Sequence, residues 1–210
     1  MTAAQPVPAA LSPKAAQVLG AAKTVFLRDG FERTSMDAVA REAGVSKATL
    51  YAHFASKERL FAAVVGGECT RHVHVLEAVE AERLPIEAAL RKIARSFVDF
   101  LQRPDVIAVH RLVIGESHRF PELGRAFYEA GPTIVQHMLA EFLGRAAARG
   151  ELALRDPAIA AELFLSMVKG HFQLRTELGY AAAPEGERDR LVREAVDLFV
   201  SGYRPSRAPA

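Results

Sequence analysis

An all-α fold with about nine helices is predicted by three features of this 210-residue sequence. Apolar residues recur along most of the chain at the three- and four-residue spacing of an amphipathic helix. Ser, Asp, Pro and Gly stand where such helices would begin and end. No segment shows the strict alternation typical of a half-buried strand. Three short helices precede longer ones, which predicts a small N-terminal module followed by a larger helical bundle.

The first helix is predicted over residues 13–29, because apolar residues there share one face and Gly30 can end the helix. The shared face carries Val18, Ala22, Val25 and Phe26. A second, short helix is predicted over residues 35–42. Thr34 and Asp37 have the spacing of a capping box at its start.

A tight turn then leads into a third helix. Gly44 can adopt the left-handed conformation that such a turn needs, and Ser46 can cap a helix over residues 47–53. Two short helices joined in this way form a helix-turn-helix, whose second helix can enter a DNA major groove about 12 Å wide. Apolar side chains must hold the two helices at a fixed angle. The candidates are Val39, Ala40, Val45 and Leu50, with Phe26 and Phe31 closing the core.

Six further helices are predicted from apolar stripes and from residues that favour a helix start. They begin near Ser56, Pro85, Pro104, Pro121, Asp156 and residue 185. The last four are expected to end near Glu116, Arg149, Glu177 and residue 202.

Composition and charge narrow the possible functions. The net charge is +2, and residues 1–60 hold eight Lys or Arg against five Asp or Glu, which permits nucleic-acid binding without requiring it. The single cysteine, Cys69, excludes an internal disulfide and any multi-cysteine zinc or iron–sulfur site. Uncharged runs are shorter than the ~18 residues of a membrane span, and the N-terminus lacks the charged region of a signal peptide. We expect a soluble cytoplasmic protein.

Polar side chains remain on the outer face of the third helix. Lys47 can donate to guanine or phosphate, and Thr49 can touch a thymine methyl or a phosphate. Tyr51 and His53 suit backbone phosphates, and Lys57 lies at a helix start that also favours phosphate. A solvated helix face is the alternative. The predicted DNA-binding set is Thr34, Ser35, Ser46, Lys47, Ala48, Thr49, Tyr51, His53 and Lys57. Replacing Tyr51 or Lys57 by Ala is expected to weaken DNA binding with little change in melting temperature.

A specific run of residues supports the DNA-binding interpretation. It reads Gly44-Val45-Ser46-Lys47-Ala48-Thr49-Leu50-Tyr51, followed by His53-Phe54 and Ser56-Lys57-Glu58. With Ala22, Phe26, Gly30-Phe31, Thr34, Val39-Ala40 and Leu60, residues 14–61 resemble the DNA-binding domain of TetR-type transcriptional repressors. Phe31 stands where this family commonly has Tyr. The resemblance implies a homodimer that binds a palindromic double-stranded DNA operator, and a C-terminal domain whose small ligand releases the DNA.

A second resemblance covers part of the C-terminal half, where residues 111–123 and 127–132 are similar to AefR-like regulatory domains. The two resemblances imply a DNA-binding domain over 13–58 and a ligand-binding and dimerisation domain over 59–203. The Pro- and Ala-rich composition of residues 1–12 and 204–210 predicts flexible tails. They also imply dimerisation through the last two helices. Packing of those helices within one chain is the alternative.

The family resemblance further suggests that part of the C-terminal core lines a cavity for a small, largely apolar effector. The apolar candidates are Phe97, Leu101, Leu112, Phe120, Phe127, Met138, Phe164 and Met167. The polar candidates are Arg111, Glu116, His137 and His171. Ordinary core packing and structural histidines are the alternative. No catalytic residue is expected, because no nucleophile-elbow pattern surrounds any Ser. No cofactor is expected either.

Other chemistry is less favoured by the sequence. Cys69 lies on an apolar stripe between Val65 and Val73, which predicts a buried, inert thiol rather than a redox sensor. Glu68, Cys69 and His72 have spacings that can converge on a metal ion, but three residues on one helix rarely complete a site. Two competing hypotheses stay open: an all-α enzyme or small-molecule-binding protein that uses the bundle cavity, and a transcriptional activator instead of a repressor.

Overall fold

The computed structural model describes residues 12–205, except for the side chains of residues 70–74, 77 and 81. These residues form eleven α-helices and no strand, which confirms the predicted all-α class. The helices are α1 (Pro13–Arg33), α2 (Met36–Glu42), α3 (Lys47–His53), α4 (Lys57–Ala81), α5 (Ile86–Leu101), α6 (Pro104–Glu116), α7 (Pro121–Ala130), α8 (Pro132–Ala148), α9 (Pro157–Lys169), α10 (Phe172–Glu177) and α11 (Glu185–Gly202). Most of the predicted tails at 1–12 and 204–210 lies outside the described residues. No described helix is both long and apolar enough to cross a membrane.

Two glycines divide helices that the sequence predicted as continuous, which accounts for eleven helices instead of nine. The segment predicted over 121–149 is interrupted at Gly131, where φ is −120° and ψ is −88°. The segment predicted over 157–177 is interrupted at Gly170, where φ is 51° and ψ is −147°. A residue with a Cβ rarely adopts the Gly170 conformation. The apolar periodicity continues on both sides of each glycine, so periodicity alone could not reveal the breaks.

The second helix begins one residue later than its predicted cap. The Oγ of Ser35 accepts the N–H of Ala38 at 3.1 Å, so Ser35 is the N-cap of α2. The predicted cap at Thr34 is wrong, because the Thr34 hydroxyl donates to the Gly30 carbonyl at 2.6 Å. Thr34 therefore hydrogen-bonds to the last turn of α1 and does not cap α2.

The turn and cap that precede α3 are as predicted. Gly44 has a φ of 60°, and the Oγ of Ser46 accepts the N–H of Thr49 at 3.0 Å. The apolar residues expected between α2 and α3 are buried at Val39, Ala40 and Leu50, and half-buried at Val45. These contacts fix α3 against α2.

The described helices form two compact units. The first consists of the chain up to residue 70 together with residues 111–131. Its core contains Phe26, Phe31 and Phe61, whose ring centroids lie 5.3–5.9 Å apart. The predicted closure of this core by Phe26 and Phe31 is confirmed by their burial.

The second unit consists of residues 71–110 and the chain from residue 132 onward. Its core is built from α5, α8, α9 and α11, and the rings of Phe164 and Phe199 lie 5.0 Å apart within it. Asp156 caps α9 as predicted, because its carboxylate accepts the N–H of Ala158 at 2.8 Å. The predicted domain boundary between residues 58 and 59 stays a prediction.

Candidate nucleic-acid interface

The third helix has one buried face and one polar, exposed face. Leu50 is completely buried, whereas Lys47, Ala48, Tyr51 and His53 are exposed, and Tyr51 keeps 45% of its surface open. We call these four exposed residues, together with Ser46 and Thr49, the reading face. A short helix with a cation and aromatic groups that can donate hydrogen bonds has the size and chemistry that a major groove admits.

The cation of the reading face is held by an exposed partner. The Lys47 Nζ lies 2.8 Å from a carboxylate oxygen of Asp37, and this hydrogen bond raises the pKa of Lys47, so the side chain stays charged. Exposed ion pairs contribute little to stability. The ammonium can therefore exchange Asp37 for a DNA phosphate or a guanine at small cost.

The two hydroxyls of the reading face are partly engaged. The Oγ atoms of Ser46 and Thr49 lie 2.7 Å apart, within hydrogen-bonding distance. Ser46 also caps α3 through the Thr49 N–H. Ser35 is exposed and caps the start of α2 in the same way, through the N–H of Ala38.

Two predicted DNA contacts have internal partners. Thr34 is 3% exposed and donates to the Gly30 carbonyl. The Nζ of Lys57 donates to the carbonyls of Phe31 at 2.6 Å and Glu32 at 3.3 Å, and lies 4.3 Å from the Phe31 ring centroid. Their DNA contacts stay predictions, and the structure adds a role for both in holding the end of α1.

Glu116, which the sequence analysis placed in the effector cavity, contacts the backbone of Phe31 and Glu32. The Glu116 carboxylate, at the end of α6, accepts the N–H of Phe31 at 3.1 Å and of Glu32 at 3.0 Å. Arg119 donates two hydrogen bonds to the Glu32 carboxylate, at 3.0 and 2.9 Å. These partners are 84 to 87 residues apart in sequence, so no local pattern could have revealed them. The predicted contact of Glu116 with an effector stays a prediction.

A small apolar cavity lies in the second unit. Its volume is about 20 Å³, which is room for about one water molecule. Phe97 is the predicted effector-binding residue that lines it. The other lining residues are Val75, Leu76, Ile93, Val135, Leu139 and Leu165, which the sequence analysis did not select.

The remaining predicted effector residues do not gather at this cavity. Leu101 and Phe164 are buried, and Leu112, Phe120, Phe127, Met138 and Met167 are half-buried. Arg111, His137 and His171 are exposed. Of these, His137 pairs with Glu141 at 3.3 Å, and the Phe120 ring packs on Phe31 in the first unit. Their roles toward an effector stay predictions.

A polar cluster in the second unit was missed by the sequence analysis. The Nδ1 of His110 lies 3.1 Å from the Glu177 carboxylate, and the Gln173 amide donates to that carboxylate at 2.6 Å and contacts the same His110 nitrogen. Burial lowers the pKa of His110, which favours the neutral imidazole. Only a fold that brings α6 and α10 together creates this cluster.

Cys69 is buried, and burial raises the pKa of its thiol to about 12. At neutral pH the sulfur is therefore protonated and a poor nucleophile. Among the described residues, no group of three or more His, Cys, Asp or Glu side chains is arranged to hold a metal ion. The His72 side chain of the candidate metal set lies outside the described residues.

Large apolar side chains are exposed on the last helices of the second unit and on the turn that follows α10. They are Ile159, Leu163, Leu174, Leu178, Tyr180 and Leu198. Several such residues on consecutive elements are typical of a surface that binds another protein.

Two family models match the chain. The model described as "Bacterial regulatory proteins, tetR family" matches residues 18–64. The model described as "AefR-like transcriptional repressor, C-terminal domain" matches residues 88–205, which is more than half of the chain.

Related proteins match over nearly the full length. The HTH-type transcriptional regulator UidR of Escherichia coli is 27% identical over 201 residues, which are 91% of this chain and 90% of UidR. The solved structure of the Flavonoid-responsive Regulator FrrA is 38% identical, with a TM-score of 0.71 over 92% of this chain and 98% of FrrA. A putative TetR-family transcriptional regulator from Mesorhizobium loti is 29% identical, with a TM-score of 0.77 over 91% of this chain and 96% of that protein.

Proposed function

The chain belongs to the TetR family of bacterial transcriptional regulators, and from this premise we propose that it is a cytoplasmic homodimeric repressor released from a palindromic operator by a small, largely apolar effector. The observation that best supports DNA binding is the reading face. It is exposed, it carries Lys47 and Tyr51, and buried Leu50 holds its helix in place.

In this proposal the α3 helix of each subunit enters a major groove. Lys47 and Thr49 can reach base edges or phosphates, and Tyr51 and His53 can donate to phosphates. Two-fold symmetry would set the half-sites about 34–36 Å apart, or a multiple of that distance. Phosphate contacts release counterions, so affinity should fall steeply with salt.

The exposed apolar side chains of α9, α11 and the turn after α10 support dimerisation through the last predicted helices. A two-fold interface uses the same patch on both subunits, and Leu163, Leu178 and Leu198 keep 49%, 67% and 66% of their surface open in the single chain. Leu163→Glu should give a folded monomer in sedimentation velocity. Glu162→Gln, which alters an exposed neighbour without adding a charge, should stay dimeric.

The effector is proposed to enter the second unit near Phe97. A cavity of about 20 Å³ is far below the roughly 300–1,000 Å³ of ordinary ligand sites, so the lining side chains must move apart. The relative FrrA is named as flavonoid-responsive, which makes flavonoids the first class to test. An effector can shift the DNA-bound state only by its difference in affinity between the two states.

The experiment begins with selection of genomic DNA fragments by the purified full-length protein. Selected fragments are then measured by fluorescence anisotropy at two salt concentrations, against scrambled DNA. The expected result is specific, salt-sensitive binding by a dimer. A protein that enriches no sequence, or binds scrambled DNA equally well, would contradict the proposal.

The same assay tests regulation. Flavonoids and other apolar compounds are added to the bound complex, and the expected result is release together with a raised melting temperature. A compound that stabilises the protein but leaves DNA affinity unchanged would contradict the release step. A reporter gene behind the operator separates repression from activation by the direction of the change on deleting the regulator.

A further inference from the structure

The end of α1 and the two residues before α2 are held by side chains from distant parts of the sequence. We call residues 30–35, which run from the glycine that interrupts α1 to the N-cap of α2, the α1–α2 link. Its backbone at Phe31 and Glu32 receives Lys57 on its carbonyl oxygens and Glu116 on its N–H groups. The α1–α2 link leads directly into the helix-turn-helix, so whatever fixes it also fixes the direction in which α2 and α3 leave α1.

The backbone of the link is shaped to receive the Glu116 carboxylate. At Gly30, φ is 80° and ψ is 167°, which interrupts the helical backbone of α1. The next two N–H groups donate to the two different oxygens of Glu116. Hydrogen bonds to an ionised acceptor are the stronger kind, and a bidentate pair also fixes orientation.

A side chain at residue 30 would displace the Glu116 carboxylate from this contact. A Cβ atom placed on Gly30 would lie 2.7 Å from the Oε1 of Glu116. Two requirements therefore coincide at this residue: a positive φ, which a residue with a Cβ rarely adopts, and the close approach of the carboxylate.

Two further contacts tie the turn after α6 to the link. Arg119 binds the Glu32 carboxylate through both of its terminal nitrogens. The ring of Phe120 lies 5.8 Å from that of Phe31, in an edge arrangement. Three side chains within five positions of the sequence, Glu116, Arg119 and Phe120, thus contact the same two residues of the link.

We propose that Glu116 is a positioning residue for the DNA-binding helices: its carboxylate sets the backbone of Phe31 and Glu32 and thereby the orientation of α2 and α3. Operator affinity then depends on a side chain that contacts no DNA. The inference about affinity rests on the proposed function, whereas the inference about orientation does not.

The direct test of orientation uses two spin labels within the first unit of the full-length protein. Labels are attached at Arg41→Cys on α2 and Glu129→Cys on α7, both exposed positions, while Cys69 is buried. An excess of unlabelled protein removes distances between subunits. Glu116→Gln is expected to broaden or shift the distance distribution, and Glu122→Gln, an exposed control with the same charge change, is expected to leave it unchanged.

Amide hydrogen exchange shows whether the contact itself is lost. Glu116→Gln should speed exchange at Phe31 and Glu32 by about tenfold, because the charged acceptor is removed. Exchange in α5 should not change, which excludes general unfolding. Glu116→Asp keeps the charge on a shorter side chain and should restore part of the protection, which a loss of packing alone would not produce.

The consequence for DNA is measured on the fragments selected by the wild-type protein. Glu116→Gln should weaken binding by about tenfold at a temperature where the variant is fully folded, with Glu116→Asp between it and the wild type. An unchanged distance distribution in Glu116→Gln would overturn the proposal, as would an unchanged affinity. If the wild-type protein selects no DNA, the proposed function fails, and the distance measurement alone still decides whether Glu116 orients α2 and α3.

Discussion

The reading face of α3 and the α1–α2 link use polar side chains in opposite ways. On the reading face, Tyr51 and His53 extend into solvent, and Lys47 pairs with the exposed Asp37. In the link, the Thr34 hydroxyl and the Lys57 ammonium are bound to backbone carbonyls. The polar groups of the reading face are thus available to a ligand, whereas those at the link make hydrogen bonds within the folded chain.

This difference separates binding from stability. A substitution of Tyr51 or His53 on the reading face removes a side chain that contributes little to the folded chain alone, so it should change DNA affinity and leave unfolding unchanged. A substitution in the link removes internal contacts, so it should change the free energy of unfolding first. Affinity would follow because the link orients the reading face.

The largest expected effect is that of Phe31→Ala in the link. Phe31 is 1% exposed and its ring packs on Phe26, Phe61 and Phe120. Large-to-small changes at such sites cost about 3–5 kcal/mol of unfolding free energy, measured by urea denaturation. His53→Ala on the reading face is the control and should change it by less than about 0.5 kcal/mol. Equal effects of the two changes would remove the distinction between the regions.

A smaller but sharper effect is expected for Gly30→Ala. The Gly30 dihedrals lie in a region that is essentially restricted to glycine, where other residues pay about 1–3 kcal/mol. The added methyl group would also approach the Glu116 carboxylate. Thermal unfolding should therefore occur at a markedly lower temperature.

Gly20→Ala is the matched control, since it makes the same change in the same helix. Nothing lies within 4 Å of a Cβ at Gly20, and Ala is favoured over Gly inside a helix by about 1 kcal/mol. Gly20→Ala should stabilise the protein. If Gly30→Ala were tolerated as well as Gly20→Ala, the conformation of the link would be contradicted.

The two regions also differ in how far sequence could predict them. The reading face depends on local rules: a serine cap three residues before its partner N–H, a glycine at a left-handed turn, and Leu50 on the inner face. Each of these operates within a few residues, so the sequence predicted α3 and its exposed side chains correctly.

The link depends on contacts that no local rule contains. Gly30 was recognised as a helix breaker, but its role beside Glu116 was not, because the partner is 85 residues from Phe31. Glu116 was assigned to an effector through the family resemblance, and Lys57 was assigned to phosphate from its place at a helix start. Their internal partners follow only from the fold. The breaks at Gly131 and Gly170 were missed because the apolar stripes continue across them.

Substitution of Lys57 distinguishes the role predicted from the sequence from the role that its contacts in the fold indicate. The sequence predicted that losing Lys57 would weaken DNA binding with little change in stability, whereas its bonds to two carbonyls and its position over the Phe31 ring predict a loss of about 1–2 kcal/mol. Lys57→Met keeps the aliphatic stem and removes the charge. Arg59→Met, at an exposed position two residues later, is the control for charge alone. If melting temperatures stay equal while Lys57→Met loses affinity, Lys57 acts only on phosphate.

The smallest effect on stability, with a clear effect on binding, is expected for Tyr51→Ala. Tyr51 is 45% exposed on the reading face, and Tyr128, 60% exposed on α7, provides a control of the same residue type. Both changes to Ala should leave unfolding free energy within about 0.5 kcal/mol of the wild type. Tyr51→Ala should weaken operator binding about fivefold or more, by the loss of a hydrogen bond and a ring at the interface, whereas Tyr128→Ala should not.

Tyr51→Phe then separates the two contributions, because a hydroxyl that donates to phosphate is lost while the ring stays. If Tyr51→Ala bound the operator as tightly as the wild type, the reading face would not be where DNA is contacted, even though the link could still orient α2 and α3.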